Sequence, residues 1–324
     1  MCSRNKRRPK PQNMPRFDVT LAGELNLDLI LYGLPAELPS ERELLVPRMM
    51  LTLGSSSAIM AHNLAALGCR VGFVSRIGGD PLGQIALDRL ACSGVDVSRV
   101  RRVAGETQTG LTVILQGPLE RRILTYPGTI FDLTLEDLDF DFLTDSRHFH
   151  LSSYYLQRGL RPRVGELFQR LKANGMTISL DPNDDPDDQW NGGLQEVLGY
   201  VDVFFPNVRE AKRMAGTDDM EKALEKLAQI VPLLVVKSGA DGATARRGDE
   251  TFRSPAVPVK LIDPVGAGDS FDAGFLSQFV RGRDLATCLL WGNLAGAFST
   301  TMAGGTEAFR DLFRRESFWK EYGV

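Results

Sequence analysis

The chain has 324 residues, 43% of them hydrophobic and 24% charged, with a formal net charge of −3. That length suits one large core with a small appendage, and the near-balanced charge excludes a general electrostatic pull toward nucleic acid or anionic membrane. No apolar run approaches the ~20 residues of a membrane span, and the scattered Cys2, Cys69, Cys92 and Cys288 form no C-x-x-C pair, so reduced thiols in the cytoplasm are expected rather than a zinc site or a disulfide framework.

Residues 1–16 are basic and proline-rich without the apolar stretch of a signal peptide, and are expected to be a disordered tail ahead of a domain at 17–324. Phe17–Ala22 has the pattern of a strand, Ser56–Leu67 of a helix stopped by Gly68, Val71–Ile77 of a second strand, and Pro81–Ser93 of a helix closed by Gly94. Short apolar runs at His148–Leu151, Thr177–Leu180, Val203–Pro206 and Leu233–Lys237 alternate with helical patterns at Arg163–Ala173, Asn207–Met214 and Met220–Gln229. This alternation predicts an α/β fold, a mostly parallel sheet covered by helices on both faces. Two stretches break the rhythm. Leu29–Leu53 has strand-like pieces without a helix between them, and Thr107–Tyr126 alternates like a hairpin turning near Gly117-Pro118. They predict a small antiparallel β-sheet lid, inserted through segments at about 29–53 and 105–128.

The chemistry concentrates in Leu261–Leu276, LIDPVGAGDSFDAGFL. An apolar strand is expected to end at Ile262, a Gly266-Ala267-Gly268 turn to follow, and a helix to begin at or just after Asp269. Glycines allow positive φ and close ligand approach, and the free N–H groups of a helix start attract an anion. Asp269 beside such a cradle can accept the proton of an attacking hydroxyl. From spacing alone, Asp269 could equally be a simple helix N-cap.

Asp263-Pro264-Val265-Gly266-Ala267-Gly268-Asp269 resembles the D-[TP]-x-G-A-G-D signature of the PfkB carbohydrate kinases, the ribokinase-like family. The resemblance runs in order from roughly Asp18 to Glu307. It implies a ribokinase-like fold and transfer of the ATP γ-phosphoryl group to a sugar or nucleoside hydroxyl. Asp269 would then be the base, and the Gly266, Ala267 and Gly268 amides the anion hole. Gly23–Asp28 (GELNLD) is similar to the family's first strand end, where Asn26 and Asp28 would hold substrate hydroxyls. Asn207-Val208-Arg209-Glu210 matches an N-x-x-E motif, implying that Asn207 and Glu210 organise Mg²⁺ through water; an ordinary capping box fits that spacing too. Leu234–Gly242 resembles the segment that approaches the nucleotide, implying roles for Lys237, Ser238, Gly239 and Gly242, although Lys237 could equally be a surface charge. Asn293 lies where the family closes around adenine.

Near the first helix the pattern departs from the family. Gly54, Ser55 and Ser56 stand where a Gly-Gly pair is usual, and Ile59 occupies the slot of a sugar-binding Asn, so the pocket is expected to differ from that of ribokinase. Asn63 lies one turn further on and is given no such role. Asp181-Pro182-Asn183 resembles the family's D-x-N segment, but Asp185 replaces an Arg common among sugar-acid kinases. A neutral, hexose-like substrate is therefore expected. Thr109, Arg122 and Tyr126 are placed by analogy on or near the lid, which in relatives often pairs into a homodimer. A nucleoside kinase, which would want an aromatic-lined pocket, and a non-catalytic sugar- or nucleotide-binding descendant are the alternatives. A monovalent cation near Asp263 is left open.

Overall fold

The computed structural model describes residues 14–118, 121–190 and 192–323. Most of the tail, residues 1–13, lies outside them, as do positions 119 and 120 between the two hairpin strands. Among the described residues, thirteen strands follow in chain order: β1 Phe17–Ala22, β2 Leu27–Tyr32, β3 Arg48–Leu53, β4 Val71–Ile77, β5 Asp96–Arg102, β6 Leu111–Gln116, β7 Arg121–Tyr126, β8 Ser146–Leu151, β9 Thr177–Leu180, β10 Val203–Phe204, β11 Leu233–Lys237, β12 Ala243–Arg247 and β13 Glu250–Ser254. Nine form one sheet in the order β13-β12-β11-β10-β9-β8-β1-β4-β5. Every pairing in it is parallel except β11–β12 and β12–β13.

Strands buried on both faces need apolar residues at successive positions, and their side chains then feed two cores. Val235 joins the core with Val19, Leu21 and Phe73. Its neighbours Leu234 and Val236 join the opposite core with Phe149, Phe168 and Ile178. Helices close both cores, and several start where the sequence supplies a cap: Ser55 before Ser56–Ala66, Asp80 with Pro81 before Pro81–Ala91, and Asn207 before Val208–Ala215.

The small sheet has the order β3-β2-β6-β7. It is not purely antiparallel as expected. Its central pair β2–β6 runs parallel, with Asp28 opposite Thr112, because β2 and β6 each follow the C-terminal end of a strand of the large sheet, β1 and β5, that run in the same direction, rather than sharing a hairpin. The expected strand before Asp263 is also absent. Leu261 and Ile262 are apolar but exposed, and the Ile262 and Asp263 amides bond to the Thr300 carbonyl rather than to a strand. Among the described residues, no helix is long and apolar enough to cross a membrane.

Candidate active site

The C-terminal ends of β1, β9, β10 and β11 face the small sheet across a cleft of about 490 Å³. Strand ends suit ligand binding because each loop leaving the sheet can present a side chain toward the same crevice. Ala22 leads to Glu24, Leu180 to Asp181 and Phe204 to Asn207, and all three side chains line the cleft.

Asp269 stands on its floor. The helix Ala267–Phe279 begins two residues earlier than expected, so Asp269 is the third helical residue and not the cap. The cap is Gly266, in left-handed backbone at φ 71°. A Cβ there would come within 2.7 Å of the Gly305 Cα, so the position needs glycine on both conformational and steric grounds. The Ala267 amide donates to the Pro264 carbonyl at 3.2 Å. Among the described residues, the Gly266, Gly268 and Asp269 amides have no acceptor, as expected for a helix start. The cradle therefore differs from the expected trio: Ala267 is engaged and Asp269 contributes its own N–H.

The floor is rich in carboxylates. Burial pushes the Asp269 carboxyl up to about 7, helped by the charge of Asp181, while Lys237 and the Ser56 hydroxyl pull it down. Asp28 is likewise pushed to about 7 by burial and by the charge of Asp269. Gly54 does not line the cleft. A Cβ on it would lie 2.1 Å from Asp28 Oδ1, so glycine there makes room for the carboxylate. Ser55 caps its helix by accepting from the Ala58 amide, and Ser56 Oγ accepts from Asn183 Nδ2 at 2.6 Å. Glu24, held by the Ser57 amide, the Ser57 hydroxyl and Gln157, is buried beneath them. Ile59 faces the cleft. Asn63 instead staples two helices through Ser270 Oγ and the Gly305 carbonyl.

Lys237 is not a surface charge. Its Nζ lies 2.8 Å from Asp181 Oδ2 and 3.1 Å from Asp272 Oδ2, with side-chain exposures of 11%, 4% and 1%. Burial alone would depress its pKa, but the charges of Asp181, Asp272 and Glu210 push it above the ordinary lysine range. Burial raises the Asp272 carboxyl well above normal, whereas Lys237 holds Asp181 low against its own burial. A methyl group on Gly268 would lie 3.6 Å from the Lys237 Nζ, so the ammonium sits against the amide cradle. The only sequence signal for Asp272 is its i+3 spacing from Asp269, which puts both on one helix face.

Asn207 and Glu210 do form a capping box: the Asn207 amide donates to Glu210 Oε2 at 2.8 Å and the Glu210 amide to Asn207 Oδ1 at 3.0 Å. Both also line the cleft. Their hard oxygens fit a hydrated Mg²⁺ held through water. A direct cage does not fit, since among the described residues no three His, Cys, Asp or Glu are grouped to hold a metal.

Several expected contacts lie elsewhere. Thr109 is buried, its hydroxyl accepting from the Gly78 amide and its amide donating to Asp80, which ties the lid's root to the helix Pro81–Ala91. Arg122 lines a separate cavity with Leu115 and Pro118. Strand alternation instead turns Arg121, Ile123 and Thr125 toward the cleft. Gly239 lines the cleft, whereas Ser238 and Gly242 close the turn beside it through a 2.8 Å amide-to-carbonyl bond. Asn293 donates to Ser254 and Pro255 and anchors its helix to the segment after β13. Asp263 accepts from the Val265 and Gly304 amides and from the Tyr32 hydroxyl, linking the small sheet to the glycine loop ahead of Asp269.

Residues 17–311 match the pfkB family carbohydrate kinase domain. The chain is 28% identical over 282 residues to 2-dehydro-3-deoxygluconokinase of Bacillus subtilis, covering 82% of this chain and 86% of that protein. It is 28% identical over 253 residues to a nucleoside kinase of Methanothermobacter thermautotrophicus, covering 78% and 80%. An E. coli chain described as a ribokinase II, solved in complex with ATP and Mg²⁺, superposes with a TM-score of 0.82 at 25% identity, covering 94% of this chain and 99% of that one.

Proposed function

This chain belongs to the pfkB family of carbohydrate kinases, and on that footing we propose that it transfers the γ-phosphoryl group of ATP to a sugar hydroxyl, with Asp269 as general base. The carrying observation is the half-buried Asp269 carboxyl beside three open main-chain donors on the cleft floor. The substrate hydroxyl sits between Asp28 and Asp269. As its oxygen bonds to the γ-phosphorus, the bond to ADP breaks, ADP leaves with the electron pair, and Asp269 takes the hydroxyl proton. The Gly266, Gly268 and Asp269 amides and Lys237 meet the charge on the transferring group. Asn207 and Glu210 would hold a hydrated Mg²⁺, which would supply charge neutralisation for the nucleotide phosphates.

A sugar is favoured over a nucleoside because no described aromatic side chain lines the cleft. Tyr154 and Tyr155 are in the core and Tyr126 alternates away, so a base would find Ile59, Ile114, Ile123 and Leu156 instead of a stacking surface. The small sheet acts as a lid that excludes water and limits ATP hydrolysis. Its outer face carries Leu29, Leu31, Met49, Val113 and Leu124, partly or well exposed, which supports pairing of two copies through the lid. The test is a panel of sugars and nucleosides with ATP and Mg²⁺, followed by ADP release and product mass. Sugar-dependent ADP release with a matching phosphorylated product is expected. A response confined to nucleosides, or ADP release that no acceptor stimulates, would contradict the proposal.

A further inference from the structure

Resting on that kinase reading, we propose that the sugar bears an anionic group, a carboxylate or a phosphate, remote from the reacting hydroxyl, and that Arg121 binds it. Among the described residues, two cations line the cleft, Arg121 and Lys237. Lys237 stands against the amide cradle, where the transferring phosphoryl group is placed, and is already paired with Asp181 and Asp272. Arg121 makes no hydrogen bond or ion pair with any described residue, even though Glu24, Asp28 and Asp269 line the same cleft.

Register fixes where Arg121 stands. Asp28 is level with Thr112, and Thr112 with Thr125, whereas Arg121 pairs with Gln116 and lies level with Tyr32. Four residues of strand separate the two rows, about 13 Å at ~3.3 Å per residue, and the long arginine side chain spans part of that distance back. The other cation on the outer row, Arg48, is stacked over the Tyr32 ring at 4.0 Å. Between the rows the walls are aliphatic, with Ile114, Ile123, Ile130 and Leu156. A compact neutral sugar held at Asp28 and Asp269 would leave the guanidinium unused. An anion at the far end of the sugar would meet a planar donor fork suited to bidentate carboxylate or phosphate binding.

The neutral substrate expected from the sequence rested on Asp185 standing where sugar-acid kinases carry Arg. In the structure the Asp185 carboxylate accepts from the Asp187, Gln189 and Trp190 amides at 3.1, 2.9 and 2.7 Å and shapes its own loop outside the cleft. Its charge therefore says nothing about the substrate, and the cleft cation comes from β7 instead.

The test compares wild type, Arg121→Ala and Arg121→Lys with ATP and three sets of acceptors: neutral hexoses, hexonic and deoxyhexonic acids, and hexose monophosphates. Wild type is expected to favour one anionic set by at least about tenfold in kcat/KM, and the preferred set distinguishes carboxylate from phosphate. Arg121→Ala should raise KM for that set by roughly tenfold or more with kcat and the KM for ATP little changed, and Arg121→Lys should recover part of the loss. Efficient turnover of neutral hexoses alone would overturn this inference while leaving the kinase reading intact. So would an unchanged KM in Arg121→Ala, or a loss confined to the KM for ATP. Failure of every acceptor would overturn both.

Discussion

Replacing Lys237 with Met keeps the side chain's bulk but strands Asp181 in the interior. In the wild type, Asp181 is held below its ordinary value of 3.8 by Lys237, and Lys237 is held above its ordinary value of 10.5 by its carboxylates. The carboxylate's contribution is present above about pH 4 and fades as pH falls through its depressed pKa. The lysine's contribution is present below about pH 10 and fades only above it. Their joint stabilisation is therefore flat across neutral pH. Without the ammonium, Asp181 relieves its burial by taking up a proton, at a cost of 1.36 kcal/mol for each pH unit above 3.8. That is about 4 kcal/mol at pH 7 and about 1.6 kcal/mol at pH 5, in line with the roughly 3–5 kcal/mol typical of breaking a buried ion pair. Urea unfolding of both proteins at the two pH values reads the difference directly. A gap under about 1 kcal/mol at pH 7, or one that does not narrow at pH 5, would refute the buried ion triad.

Asp269 gives the opposite pH sign. Its folded pKa is raised to about 7 by burial, so kcat/KM should rise with pH and level above 7, falling about fivefold between pH 7 and pH 6 as the base is protonated. A profile flat down to pH 5 would contradict that. The same raised pKa makes ionised Asp269 destabilising, so Asp269→Asn should melt above wild type at pH 8, with the difference closing toward pH 5. Gly266→Ala places a methyl group 2.7 Å from the Gly305 Cα at φ 71°. It should cost at least about 1–2 kcal/mol of stability and lower kcat, as measured by thermal melts and steady-state rates.

The sequence carried the large sheet well because β1, β4, β9 and β11 are apolar runs bounded by turn residues, and burial on both faces enforces that pattern. It failed where local pattern and environment part company. Leu261 and Ile262 look like strand yet have no partner strand, while Ala243–Arg247 and Glu250–Ser254 form a hairpin from polar and charged residues. The glycine loop and Asp269 were legible because a strained turn at a helix start needs particular residues in order. Which lid arginine faces the cleft was not, since Arg121 and Arg122 differ only in register, and register follows from β6 pairing with β7. Asp272 is not legible in the sequence because its importance depends on Lys237, which arrives from a strand 35 residues earlier in the chain.

The most direct test is single-turnover phosphoryl transfer by Asp269→Asn, with ATP affinity measured on the same sample by calorimetry. A carboxylate that removes the acceptor's proton predicts a transfer rate reduced by about 10²–10⁴-fold with nucleotide affinity preserved. Transfer at close to the wild-type rate would mean that the proton leaves by another route and that Asp269 is not the base.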